Sequence, residues 1–149
     1  MLKSFLKLFE DSHKDREPAY TVELATAALL SEIVNADNEV TDVEREEYEK
    51  QLKKHVNVDE DAIALLLKRG QQTSEEAVDL VHFTQVLNKH CSADEKVSVV
   101  KSLWIIAYAD SSLAPLEEST IRQIADLLYV PHSEFIKTKL SVVENTPAN

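Results

Sequence analysis

The fold of this chain is decided by a short stretch that occurs twice, as ADNEVTDVE at residues 36–44 and as ADSSLAPLE at residues 109–117. We call these the first and second acidic turns. The flanking apolar residues correspond in the same register: Leu30 with Leu103, and Ile33 with Ile106. Each copy ends one apolar helical pattern and begins another. The pattern therefore predicts two helix–turn–helix units with an acid on either side of each turn.

The matched acids of the two turns are candidate metal ligands: Asp37, Glu44, Asp110 and Glu117. In each copy, an acid at the end of one helix and an acid in the first turn of the next can approach each other. Two carboxylates together with carbonyl oxygens of the turn suit a hard divalent cation such as Ca²⁺. The ligand alternation and the glycine of an EF-hand loop are absent, so an EF-hand is a poor fit.

The two copies differ in the oxygen ligands that they offer. The first also contains Asn38, Glu39 and Asp42, where the second has Ser111, Ser112 and Pro115. We therefore expect a second site to bind more weakly than the first, and Asp37 and Glu44 to be the ligands if only one turn binds a cation.

Helix capping gives a purely structural alternative for the glutamates. Thr41 and Glu44 have the spacing of a capping box, which would explain Glu44 without a ligand. In the second copy Ala114 replaces the threonine and cannot cap with its side chain, yet Glu117 is retained. A glutamate in the first turn still gains from the helix dipole, so this alternative stays open in a weaker form.

Helical periodicity and capping signals along the chain predict an all-α, single compact domain of about seven to eight helices, with a pseudo-twofold internal duplication. The predicted helices cover residues 21–35, about 41–55, 59–70, 74–91, 92 to the second turn, 115 onward, and a short segment after Pro131. In the second of these helices Val43, Tyr48 and Leu52 are predicted to face inward, and Gly70 is the predicted stop of the third. The next three helices are predicted to begin with Ser74 as the cap, with a Ser92–Glu95 capping box, and with Pro115 at the first position. We divide the chain into residues 1–17 (amphipathic helix and linker), 18–140 (helical domain) and 141–149 (flexible tail).

The composition restricts the classes of partner. The formal net charge of −11, from 27 acids against 16 bases, disfavours nucleic acid and anionic membranes and favours cations or a protein with a basic surface. The helix at residues 1–10 has an apolar face and two lysines; it is predicted to pack on the domain rather than on a membrane. A single cysteine, no apolar run of membrane-spanning length and no signal-peptide pattern predict a cytoplasmic protein.

Other chemistry finds little support in the sequence. His90 beside Cys91 invites a zinc interpretation, but no second pair stands at ligand spacing. No glycine-rich phosphate loop, hydrolase serine motif or metalloprotease pair occurs. We therefore expect a protein that is not an enzyme.

The second half carries a resemblance to a known family. Residues 103–110, LWIIAYAD, followed by Glu117 and by IRQIADLL at residues 121–128, resemble the TerB-like domain, in particular a bacterial subfamily of small stand-alone proteins. The resemblance extends over residues 21–140 and is weaker in the first half. It implies an all-helical fold with an internal duplication, and a divalent metal held by the acids at positions 37, 44, 110 and 117. The family commonly has glycine after each aspartate, where this chain has Asn38 and Ser111.

Two functions follow as hypotheses. The first is a non-enzymatic module that binds a divalent cation at the acidic turns and takes part in stress response or sensing. The second is a helical protein–protein interaction module that binds a basic partner through its acidic surface without metal.

Overall fold

The computed structural model describes residues 21–35, 42–76, 80–109 and 115–145. These residues form seven α-helices and no strand, which confirms the predicted all-α fold. The helices are α1 (Val22–Asn35), α2 (Asp42–His55), α3 (Glu60–Glu76), α4 (Leu80–His90), α5 (Ala93–Ala107), α6 (Pro115–Leu127) and α7 (His132–Asn145). The amphipathic segment at residues 1–17 lies outside the described residues, and the internal duplication stays a prediction.

Helix α1 forms the centre of the core. Every residue from Leu24 to Ser31 is buried, and so are Ile33 and Val34. A helix that is apolar on all sides is stable only when other elements surround it. Accordingly α1 packs against α2, α3, α4, α5 and α6, while α7 packs on α5. None of the described helices is long and apolar enough to cross a lipid bilayer.

The prediction that Gly70 ends a helix is wrong, because α3 continues through it to Glu76. A Cβ atom at this position would lie 2.7 Å from Ala27 Cβ and 2.7 Å from the Tyr48 hydroxyl. The glycine therefore allows α3 to approach α1 and the Tyr48 side chain closely. It serves helix packing instead of helix termination.

Two further boundaries differ from the sequence-based prediction. Ser74 lies inside α3 and does not cap α4, which begins at Leu80. The last helix reaches Asn145, five residues beyond the predicted end at Leu140, and Val142 is buried in that added part. An apolar contact late in the chain thus extends a helix that local signals alone would end.

Helix α5 begins as predicted, with a complete capping box. The Ser92 side chain accepts a hydrogen bond from the Glu95 backbone N–H at 3.2 Å, and the Glu95 carboxylate accepts one from the Ser92 N–H at 2.9 Å. These bonds lower the pKa of Glu95, whose side chain is exposed. Reciprocal bonds of this kind satisfy two of the N–H groups that a helix start leaves without partners.

Helix α6 ends in a Schellman motif without glycine. The Val130 N–H donates to the Ala125 carbonyl at 3.0 Å, and the Tyr129 N–H donates to the Asp126 carbonyl at 3.1 Å. Tyr129 therefore occupies the left-handed position, with φ of 58°. Glycine is the usual residue there because a Cβ atom makes this conformation costly. The tyrosine ring is 78% exposed.

Candidate functional site

The structure buries both glutamates that the repeated stretch singles out. Glu44 is the third residue of α2 and is 2% exposed, and Glu117 is the third residue of α6 and is 3% exposed. Their partners in the prediction, Asp37 and Asp110, lie outside the described residues. The structure thus places one member of each predicted pair, and the approach of the two acids within a pair stays a prediction.

Each glutamate begins the inward-facing stripe of its helix. In α2 the buried positions after Glu44 are Tyr48, Gln51 and Leu52. In α6 the positions after Glu117 include Ile121 and Ile124, both fully buried. Helical periodicity would place an apolar side chain at the first position of such a stripe. A buried carboxylate there costs free energy unless a hydrogen bond or a positive charge compensates it.

The exposed Glu95 provides an internal comparison for the two buried glutamates. It too is the third residue of its helix, α5, and it completes its capping box while facing solvent. Capping and the helix dipole therefore do not require a glutamate at this position to be buried. The Oε2 atoms of Glu44 and Glu117 are nevertheless fully enclosed. Burial is thus a property that these two residues share beyond helix initiation.

The rotation of α2 differs from the prediction. Sequence periodicity placed Val43 inward, but its side chain is 47% exposed and Glu44 takes the inward position. Tyr48 and Leu52 are buried as predicted.

A chain of polar side chains joins α2 to α5, and sequence reasoning missed it. His55 Nε2 lies 2.7 Å from Ser102 Oγ, and the Ser102 hydroxyl donates to Gln51 Oε1 at 2.9 Å. Gln51 Nε2 donates in turn to Glu47 Oε1 at 2.8 Å. Polar residues recur at inward positions of α2, but a prediction based on the periodicity of apolar residues does not treat polar residues as buried.

Glu118, in the first turns of α6, belongs to a cluster of aromatic and charged residues. Glu118 pairs with Lys139 at 2.9 Å, and the Lys139 ammonium group lies 5.4 Å from the centre of the Trp104 ring. Trp104 is the one tryptophan of the chain, and it is fully buried in the helix that leads into the second acidic turn. Its fluorescence is therefore a natural reporter for changes in the second half.

A comparison with protein families identifies the family of this chain. The model of the family described as tellurite resistance protein TerB matches residues 23–140. The chain belongs to the TerB family. The matched range extends from α1 into α7 and includes both acidic turns. No curated protein and no solved structure matches the chain.

His90 and Cys91 of this TerB chain do not form a metal site with the residues that the structure describes. His90 is exposed, and burial raises the pKa of the half-buried Cys91 thiol, which disfavours the thiolate that metals bind. Within the described ranges, no three histidine, cysteine or acidic side chains come together as a metal-binding group. This statement covers only part of each acidic turn, because residues 36–41 and 110–114 lie outside the described ranges.

His55 is expected to make the stability of this TerB domain depend on pH. Burial, and to a lesser extent the charge of Lys54, lower its pKa below the ordinary value. Below about pH 6.5 the unfolded chain therefore binds a proton that the folded chain refuses, so the free energy of unfolding falls as the pH falls toward the lowered pKa. Urea unfolding of wild type and of His55→Gln between pH 7.5 and 5 tests this. The wild type should lose more stability than the variant, and equal losses would contradict the prediction.

Proposed function

We propose that this TerB domain is a non-enzymatic, cytoplasmic module that binds a divalent cation at its acidic turns and acts in stress response or sensing. Glu44 and Glu117 are the buried ligands, and Asp37 and Asp110 are their partners across each turn. The proposal depends above all on the burial of two glutamates at matched positions, where the comparable Glu95 is exposed.

The donor chemistry favours a hard cation. The candidate ligands are carboxylates, supplemented in the first turn by the side chains of Asn38 and Asp42 and by backbone carbonyls. Such oxygen sets suit Ca²⁺, Mg²⁺ or Mn²⁺, whereas zinc prefers nitrogen and sulfur. A bound cation would also offset the cost of burying the carboxylates. The first turn, with more oxygen atoms, is the stronger site in this proposal.

Thermal unfolding with and without cation tests the proposal. A ligand that binds only the folded state stabilises it by about 2.7 kcal/mol at a concentration of 100 times Kd. We therefore expect millimolar Ca²⁺ or Mn²⁺ to raise the Tm of the wild type. Glu44→Gln should lose most of this gain and Glu117→Gln a smaller part, with Asp37→Asn and Asp110→Asn behaving like their partners.

Glu95→Gln is the matched control, because it removes a glutamate from the third position of a helix without removing a buried carboxylate. It should keep the full cation-dependent gain. The absence of any shift at millimolar cation would contradict cation binding, and an equal shift in Glu44→Gln would contradict Glu44 as a ligand.

The second candidate is an interaction module whose acidic surface binds a basic protein without metal. The net charge of −11 favours it. Such a complex would weaken as salt is added and would be insensitive to chelators. Cation-dependent stabilisation that Glu44→Gln abolishes would decide for the first proposal.

A further inference from the structure

Helix α2 contacts the core through an unusually polar face. Its buried residues are Glu44, Tyr48, Gln51 and Leu52, of which only the leucine is aliphatic. The Tyr48 hydroxyl donates to the Ala27 carbonyl at 3.0 Å and lies 3.3 Å from the Leu67 carbonyl. A further polar connection is the chain of His55, Ser102, Gln51 and Glu47 described above.

The hydrogen bonds in that chain have one consistent direction. Because the Ser102 hydroxyl donates to Gln51, its oxygen accepts from His55, which places the imidazole proton on Nε2. Gln51 and Ser102 are 1% and 3% exposed, so water does not compete for these bonds. Losing one partner would leave a buried polar group unsatisfied, which makes the chain specific for one arrangement of the two helices.

The described residues do not repeat the pairing of Gln51 with Ser102 at the corresponding positions of the two halves. In the register that aligns Glu44 with Glu117, Gln51 corresponds to Ile124 and Ser102 corresponds to Leu29. Both apolar residues are fully buried. At these positions α6 packs through an apolar side chain, whereas α2 forms hydrogen bonds; α6 is also held by the Glu118–Lys139 pair and by Asn88, whose side chain donates to the Leu127 carbonyl at 2.9 Å.

The polar face bears on the rotation of α2 about its own axis. Val43 and Glu44 are adjacent, so a rotation of about 100° around the helix axis exchanges their positions. Such a rotation would bury Val43 and hydrate the Glu44 carboxylate, but it would also turn Tyr48 and Leu52, which are 2% and 0% exposed, out of the core. The apolar contact of Leu52 is non-directional, whereas the hydrogen bonds of Tyr48, Gln51 and His55 depend on angle and are lost when the helix turns. The observed state keeps Val43 exposed and Glu44 buried.

We propose that Ser102, Gln51 and His55 are positioning residues, which fix the rotation of α2 and thereby hold Glu44 inward. This positioning role does not depend on cation binding. Its consequence, tighter cation binding at the first acidic turn than at the second, rests on the function proposed above.

Hydrogen exchange without cation tests the positioning role. Ser102→Ala removes two buried hydrogen bonds of about 1 kcal/mol each, so it should raise amide exchange in α2 about 30-fold and leave α6 unchanged. Ser102→Thr, which keeps the hydroxyl, should restore most of the protection. Thr84→Val is the matched control, because the Thr84 hydroxyl bonds only within its own helix, to the Leu80 and Val81 carbonyls. Unchanged α2 exchange in Ser102→Ala would overturn the proposal, and so would equal increases in α2 and α6.

Calcium titration in single-site backgrounds tests the consequence. In Glu117→Gln, where only the first turn has its glutamate, Ser102→Ala should weaken Ca²⁺ binding about fivefold. In Glu44→Gln, the same substitution should leave Ca²⁺ binding unchanged. An equal loss in both backgrounds would indicate general destabilisation and would overturn the positioning role. If the wild type binds no Ca²⁺, Mg²⁺ or Mn²⁺, the proposed function fails, whereas the orientation of α2 is still decided by the exchange experiment.

Discussion

Replacing Trp104 with alanine is expected to lower the free energy of unfolding by about 3–5 kcal/mol, the usual cost of deleting a large aromatic side chain from a core. Trp104 is fully buried in α5. Its ring centre lies 5.2 Å from that of Phe135 in α7 and 6.2 Å from that of Tyr108. The side chain therefore fills the space that joins α7 to the domain. A loss of this size is a large fraction of the stability of about 5–15 kcal/mol that domains generally have.

Urea unfolding followed by circular dichroism measures the loss without relying on the deleted fluorophore. Trp104→Phe should lose less stability than Trp104→Ala, because it retains an aromatic ring against Phe135. Tyr129→Ala is a control for removing an aromatic side chain from the surface, since the Tyr129 ring is 78% exposed. It should change the stability by no more than about 0.5 kcal/mol. A loss below 1 kcal/mol for Trp104→Ala would contradict the packing of α7 on α5.

Gly70→Ala is expected to destabilise the protein by about 1–3 kcal/mol, although alanine is the better helix former. Helix propensity alone would give a gain of about 1 kcal/mol in the middle of a helix. The added Cβ atom, however, would lie 2.7 Å from Ala27 Cβ and 2.9 Å from the Ala27 carbonyl carbon. Because the second of these is backbone, the clash is relieved only by moving α1 and α3 apart. We therefore expect overpacking to exceed the gain in propensity.

A second substitution separates the clash from other effects of Gly70→Ala. Ala27→Gly in the Gly70→Ala background removes one of the two closest atoms and should recover part of the lost stability. Full recovery is not expected, because the Tyr48 hydroxyl also lies 2.7 Å from the added Cβ. An increase in Tm for Gly70→Ala alone would contradict the close crossing of α1 and α3.

The fold was predictable wherever local signals and long-range packing agree. The Ser92–Glu95 capping box and the first position of Pro115 were read correctly because both depend on neighbours in the sequence. Gly70 was misread as a stop because its role depends on Ala27 and Tyr48, which are distant along the chain. The end of α7 was missed for the same reason, since Val142 is buried by tertiary packing.

The candidate site was predictable only in part. The repeat drew attention to Glu44 and Glu117, but periodicity placed Val43, not Glu44, on the inward face of α2. The cause is that hydrophobic patterns assign buried positions to apolar residues, whereas the inward face of α2 includes Gln51, which is hydrogen-bonded to Ser102 on another helix. Ser102 was inconspicuous in the sequence, because a serine in an apolar helix has no local signature of an interhelical role.

The use of the single glycine has a consequence for the unfolded chain. Gly70, the single glycine, lies at a helix crossing, and the left-handed position after α6 is therefore occupied by another residue, Tyr129. Glycine gives an unfolded chain its greatest backbone freedom, and a chain with one glycine among 149 residues has little of this freedom to lose. The strain at Tyr129 in the folded state is thus set against a smaller loss of conformational entropy on folding.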